Sequence, residues 1–309
     1  MPIWAWALLG VLLVVSITVD LIAHRGDHED SRRSAVLWTL AWIGIAAGFG
    51  VFIAIQFGGT AAEQFAAAYL LEKSLSLDNL FLFIVIFATL GIPRTEQRRV
   101  LTFGILGALL TRLLFIMLGA AALHRWHELT YVLGALLVFT SFKLLRHEGP
   151  SAEPPRLLLW LERHVPWTRQ LHGHAFFAKA NGRTVATPLL IALITIELAD
   201  VVFAIDSVPA AFAVSDDTFI VYSSNVLAVL GLRALYIVLA NALQGLRYLH
   251  FGLAAIVGFA GIKLLVANWM KFPPLVSVLV IAGMMGIAVL ASLRANRVRP
   301  AEAIAPRET

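Results

Sequence analysis

Five carboxylates occupy places where lipid rather than water is expected. Glu72 and Asp78 stand in LEKSLSLDNL (71–80), and Glu197, Asp200 and Asp206 in TIELADVVFAIDSVP (195–209). Both stretches lie inside long apolar runs. A carboxylate at the centre of a bilayer costs roughly 2.5–3.5 kcal/mol on insertion scales, so five of them demand a use. Other oxygens stand nearby: the amides of Asn79 and Asn225 and the hydroxyls of Ser74, Ser76, Thr195 and Ser207. Cysteine is absent, and the nine histidines fall in loops or at the ends of apolar runs, which disfavours Cu(I) or a typical zinc site. An all-oxygen inventory suits a hard cation such as Mn²⁺, Mg²⁺ or Ca²⁺. The candidate metal ligands are Glu72, Asp78, Asn79, Glu197, Asp200, Asp206 and Ser207.

The deep cations are Lys73, Arg112 and Arg233. With all eight groups ionised, two negative charges remain. That surplus fits one bound divalent ion or two protons shared among carboxylates, and the count does not choose between them. The plainer reading makes the three cations structural, with Arg112 neutralising Asp78 and Arg233 neutralising Asp206. Helical spacing limits convergence. Residues seven apart lie about 20° from a common face, which aligns Glu72 with Asn79 and Asp200 with Ser207. Asp78 and Asp206 each stand about 120° around from the acid six residues earlier, so one straight helix does not aim both at one point. Pro209 removes a backbone donor near Ile205, and a helix kinked or broken there is expected to relieve the conflict.

The elements that must position these groups follow from hydropathy. The 309 residues are 60% hydrophobic and 14% charged, with a mean hydropathy of +0.83, the signature of an all-α polytopic membrane protein. Nine apolar windows of about 17–29 residues predict spans at 2–22, 35–57, 64–90, 100–122, 129–145, 186–214, 218–241, 252–268 and 275–293. Of 24 Lys and Arg, 18 fall on one side in the alternating loops and the C-terminal tail, and only Arg125 and Lys271 on the other. The positive-inside rule then places the N-terminus outside and the C-terminus in the cytoplasm. The +5 net charge reflects this topology and carries no nucleic-acid signal. The N-terminal run lacks a basic leader and a small-residue cleavage site, so it reads as a retained span. The whole of 1–309 reads as one transmembrane domain: two spans in 2–63, a first repeat in 64–145, a cytoplasmic loop in 146–185, a second repeat in 186–268, and a last span and tail in 269–309. Within the loop, RLLLWLERH (156–164) has the pattern of a short helix lying on the membrane surface. His172 and His174 in that loop are assigned no role.

The repeat is written in three matches kept in order. LDNL (77–80) answers IDSV (205–208), TRLLFI (111–116) answers LRALYI (232–237), and F-x-x-x-K-L-L occurs at 139–145 and 259–265. Asp78 thus corresponds to Asp206, Arg112 to Arg233, and Lys143 to Lys263. Blocks of three spans invert their neighbour, so spans 3–5 and 6–8 form an inverted three-plus-three repeat, a transporter architecture with its site near the midplane.

LEKSLSLDNL, IELADVVFAIDSVPA (196–210) and YSSNVLAVLGLRALY (222–236) resemble the signature motifs of the TerC family, which is named for tellurium resistance and includes an Alx branch. The resemblance runs from about 35 to 290 and implies nine helices, kinship with LysE-type transporters, and a role in metal-ion homeostasis in which manganese export is foremost. It carries the family's acidic positions onto Glu72, Asp78, Glu197, Asp200 and Asp206, with Asn79 and Ser207 beside them.

The leading expectation is a Mn²⁺ exporter, or an exporter of another hard divalent ion, in a bacterial cytoplasmic membrane. It works by alternating access with protons as the counter-ion, and uses no prosthetic group. Two other readings compete: a factor that metallates or assembles exported or membrane proteins, and a tellurite or anion transporter using Arg112 and Arg233. The surplus of acids disfavours the anion. An enzyme is disfavoured because the spans hold no Ser–His or Cys–His pairing and no H-E-x-x-H motif.

Overall fold

An apolar run that must satisfy its own backbone donors and acceptors becomes a helix, and helices dominate this chain. The computed structural model describes residues 1–23, 32–126, 128–146, 154–180, 182–239, 248–267, 269–270 and 272–298. The helices are α1 (Ile3–Ala23), α2 (Arg32–Phe57), α3 (Gly59–Thr89), α4 (Arg94–Arg125), α5 (Leu129–Arg146), α6 (Arg156–His164), α7 (Pro188–Phe212), α8 (Thr218–Leu230), α9 (Leu232–Leu239), α10 (Leu249–Leu265) and α11 (Pro274–Val298). Local chemistry sets several of the ends. Pro188 opens α7, where its missing N–H has no helical partner to lose. The Asp217 carboxylate caps α8, accepting from the amides of Phe219 at 2.8 Å and Ile220 at 3.3 Å.

Among the described residues six helices are long and apolar enough to cross a membrane: α1, α2, α4, α5, α7 and α11. The bent pair α8–α9 makes a seventh if it is one span. The 31-residue α3 fails on composition alone, because every stretch long enough to span holds Glu72 and Lys73 together with Glu63 or Asp78. Helix α10 is apolar but has only 17 residues. Large apolar side chains project outward, among them Val14 on α1, Leu37 on α2, Leu110 on α4 and Ile287 on α11, as a lipid-facing surface requires.

The loop before α7 adds two features. A hairpin of β1 (Phe177–Ala180) and β2 (Arg183–Ala186) pairs Phe177 with Ala186, a departure from the all-α expectation. The sequence Asn181-Gly182 is the two-residue turn signal for such a hairpin, and Gly182 has the positive φ of +75° that the turn needs. Helix α6 forms over the expected residues. Its Leu158 and Leu161 are buried, and Leu158 clusters with Ala186 and Ile191 at the start of α7. The protein's own body therefore covers Leu158 and Leu161, while Leu159 and Trp160 of the same helix stay exposed.

Contacts at the two ends of the bundle show how neighbouring helices alternate. At one end the N-terminal amine lies 3.9 Å from the Asp217 carboxylate, and Trp4 stacks on Phe57. At the other, Tyr236 donates to Gln97 at 2.7 Å and Arg233 reaches Asp20. Inside, α3 packs on α8 and α4 on α7, while α5 and α10 form a close antiparallel pair. There Ser141 Oγ donates to the Ala254 carbonyl at 2.8 Å.

Of the kink or break expected at Pro209, the break is corrected. Helix α7 continues through Pro209 to Phe212, because a proline in the final turn deprives only the Ile205 carbonyl of its donor. The interruption lies instead at Gly231, where α8 and α9 meet at 44°. A side chain at Gly231 would sit 3.1 Å from both Lys73 Nζ and Trp42 Cβ, so the bend packs tightly. Lys73 Nζ donates to the Ala228 carbonyl at 2.9 Å. In a continuous helix that carbonyl would accept from Leu232, so Lys73 satisfies an acceptor that the break releases.

The α5–α10 crossing generates a prediction. A methyl group on Gly261 would lie 2.9 Å from the Gly134 carbonyl, Leu137 Cβ and the Val138 amide, none of which swings away. Gly261→Ala should destabilise the protein by about 1–3 kcal/mol through overpacking. Gly283→Ala, with nothing within 4 Å, should be neutral. Thermal unfolding in detergent checks both.

Candidate functional site

Four helices bring one polar side chain each to a single buried point. Glu72 from α3, Arg112 from α4, Asp200 from α7 and Asn225 from α8 are 1%, 1%, 6% and 1% exposed. Asp200 stands at the middle of its 25-residue helix. The guanidinium of Arg112 lies between the two acids. Its Nη1 donates to Glu72 Oε1 and, at 3.0 Å, to Asn225 Oδ1, while Nη2 donates to Asp200 Oδ1 at 3.0 Å. Asn225 Nδ2 donates to Glu72 Oε2 at 2.8 Å, and Ser76 Oγ lies 3.3 Å from Glu72 Oε1. Thr111 Oγ1 lies 3.3 Å from Asp200 Oδ2. A planar fork holding two carboxylates is a task for Arg and not for Lys. One nitrogen is left over: Arg112 Nε is buried without a hydrogen-bond partner among the described residues.

Glu197 lies one turn before Asp200 and fits into the notch left by Gly107 on α4. A methyl group on Gly107 would overlap its carboxylate. Glu197 is half-buried and makes no hydrogen bond or ion pair among the described residues. Glycine at 107 thus admits a third carboxylate beside the cluster.

The remaining expected residues go elsewhere. Asp206 faces α5, where Thr140 Oγ1 donates to it at 3.2 Å, as its turn away from Asp200 dictates. Ser207 is buried and its hydroxyl has no partner among the described residues, and Asn79 is buried on α3. The side chain of Asp78 lies outside the described residues. Arg112 pairs with Glu72 and Asp200, and the expected pairing with Asp78 lies outside the described residues. The pairing of Arg233 with Asp206 is overturned: Arg233 Nη2 donates to Asp20 Oδ1 at 2.8 Å and to the Asp20 carbonyl at 3.1 Å, near the end of α1. Lys73 holds the α8–α9 bend. The hydroxyls of Ser74 and Thr195 bond back to their own helices, to the carbonyls of Leu70 and Ile191. Thr111 was not in the oxygen inventory, and its neighbour Arg112 was the signal that could have found it. Among the described residues no three acids or histidines converge into a metal cage, because the arginine stands between the acids.

Residues 57–300, from the end of α2 through α11, match the Integral membrane protein TerC family. The chain belongs to that family. It is 42% identical over 306 residues to an uncharacterised membrane protein of Myxococcus xanthus, covering 98% of this chain and 96% of the other. It is 37% identical over 292 residues, 91% of each chain, to Alx of Escherichia coli (strain K12), provisionally named a membrane-bound redox modulator. It is 38% identical over 241 residues to the chloroplastic thylakoid membrane protein TERC of Arabidopsis thaliana, covering 77% of this chain and 63% of that one. No solved structure matches. In this TerC-family protein the matched region contains the entire carboxylate–guanidinium cluster.

Glu72→Leu should lower stability by about 3–5 kcal/mol, the usual result of removing one partner from a buried ionic group. Arg233→Gln should cost less, because Asp20 is 17% exposed near a helix end. Unfolding midpoints in detergent compare the two.

Proposed function

We propose that this TerC-family protein exports a hard divalent cation, Mn²⁺ foremost, across a bacterial cytoplasmic membrane by alternating access. The observation that carries the reading is the meeting of Glu72 and Asp200 at one buried, oxygen-lined point with a single cation between them. Both acids belong to helices in corresponding positions of the two halves, α3–α5 and α7–α10. Carboxylates, an amide oxygen and hydroxyls are the ligands of Mn²⁺ and its hard neighbours.

Helix packing supports an inverted repeat with nine spans, counting α3, α10 and the bent pair. Under an offset of 120 residues, Ser141 corresponds to Gly261 and Ala254 to Gly134. The contact of Ser141 with the Ala254 carbonyl and that of Gly261 with the Gly134 carbonyl then exchange with each other. Helix α3 meets α8 as its counterpart α7 meets α4. An axis in the membrane plane produces such exchanges and favours rocking of one half against the other. The α8–α9 break at Gly231, beside the cluster, matches the discontinuous helices of transporters that use this plan.

The charge surplus disfavours an anion as cargo. The name given to Alx invokes redox modulation for that protein; the present chain has no cysteine, and moving a redox-active ion would alter redox balance without a thiol. Protons taken up from outside reload and neutralise the carboxylates after release.

Purified protein in liposomes, with no partner present, should accumulate Mn²⁺ in the export direction. Asp200→Asn should reduce uptake at least about tenfold, since even outer-shell changes at metal sites commonly cost 10–100-fold. Unchanged uptake in a correctly folded Asp200→Asn protein sinks the site.

A further inference from the structure

The guanidinium of Arg112 lies among oxygen acceptors: Glu72 Oε1, Asp200 Oδ1 and Asn225 Oδ1. These are ligand atoms that a hard divalent ion would take. Two cations do not share them, for the guanidinium already uses one oxygen of each acid and would repel an ion set against it. We infer that Arg112 is a tethered counter-cation, holding the ion's place when the carrier is empty and yielding it when the ion binds. The inference rests on the export reading and specifies how the same site is regulated.

Three observations support a movable arginine. Its Nε is buried without a partner among the described residues, so the resting arrangement leaves one donor of the guanidinium unsatisfied. A second carboxylate stands one helical turn from an acid that Arg112 already holds: Glu197, seated at Gly107 of α4, lies three residues before Asp200 on α7. Glu197 is also free of any hydrogen bond or ion pair among the described residues. A guanidinium expelled from Glu72 and Asp200 has that carboxylate to receive it.

The charges close. Glu72, Asp200 and Glu197 with Arg112 sum to −2, the complement of one divalent ion. In the loaded state the ion neutralises Glu72 and Asp200 while Arg112 neutralises Glu197. In the empty state Arg112 returns, so the carrier does not turn over with both deep acids bare. Arg112 thereby permits the empty return on which net transport, as opposed to ion-for-ion exchange, depends.

The test uses purified protein and Mn²⁺ as the probe, with Arg112→Gln and Arg112→Lys. Without the competitor, Arg112→Gln should bind Mn²⁺ about tenfold or more tightly than wild type, the gain expected when a competing state is removed. In liposomes it should lose net uptake into Mn²⁺-free vesicles but retain exchange of labelled for unlabelled Mn²⁺. Its unfolding midpoint should fall without Mn²⁺ and recover with it. Arg112→Lys, which keeps the charge but loses the fork, should bind Mn²⁺ more tightly than wild type, and it serves where Arg112→Gln does not fold. Weaker binding in both variants, or net uptake and exchange lost together in folded protein, overturns the inference. Wild type that neither binds nor moves Mn²⁺ overturns the export reading itself.

Discussion

Two carboxylates buried together in an apolar bundle lose their water and repel each other, and the rest of this structure is arranged around that cost. Two unit charges about 4 Å apart interact by roughly 4 kcal/mol at the effective screening of a protein, several times the net worth of an ordinary hydrogen bond. Charge, not hydrogen bonding or apolar contact, therefore decides what stands at the meeting of α3, α4, α7 and α8. Arg112 makes the position of Glu72 and Asp200 tolerable, Asn225 and Thr111 take up the carboxylate oxygens that the guanidinium does not reach, and Ser76 shares Glu72 Oε1 with it. Glu197 is spared the same demand because it is only half-buried, in the notch at Gly107.

Much of this was legible in the sequence, and the limits have physical causes. Helices form over every apolar run because hydrophobic length is a local property that the bilayer enforces. Glu72 and Asp200 stand out because acids are rare in such runs. Partner choice is not local. Arg233 matches Arg112 in the repeat, yet it sits at the end of the bundle where Asp20 from α1 is nearer than any acid of α7. Nothing in the spacing of α7 announces α1. Lys73 reads as a charge needing a carboxylate, but its partner is a backbone carbonyl that exists as a free acceptor only because α8 stops.

The break itself illustrates the difference between propensity and packing. Proline is the stronger helix breaker, and Pro209 was the reasonable place to expect one. Its position three residues from the end of α7 makes it nearly harmless there. Gly231 costs a helix far less in isolation, about 1 kcal/mol. It becomes the break because Trp42 and Lys73 crowd the space a side chain would fill, and Lys73 stabilises the released carbonyl. Tertiary contacts convert a weak local signal into a structural feature.

Glu72 and Lys73 are consecutive, and together they join the charge cluster to the bend. Glu72 holds Asn225 on α8, and Lys73 holds Ala228 one turn further along the same helix. Helix α3 thus grips α8 at two points, one inside the cluster and one at its broken end. Helix α3 is continuous through both residues. A bend that is satisfied by a side chain rather than by its own helix can open by a small displacement of that side chain. Glu72 and Lys73 therefore put the buried cluster and the discontinuous pair α8–α9 on one continuous stretch of α3.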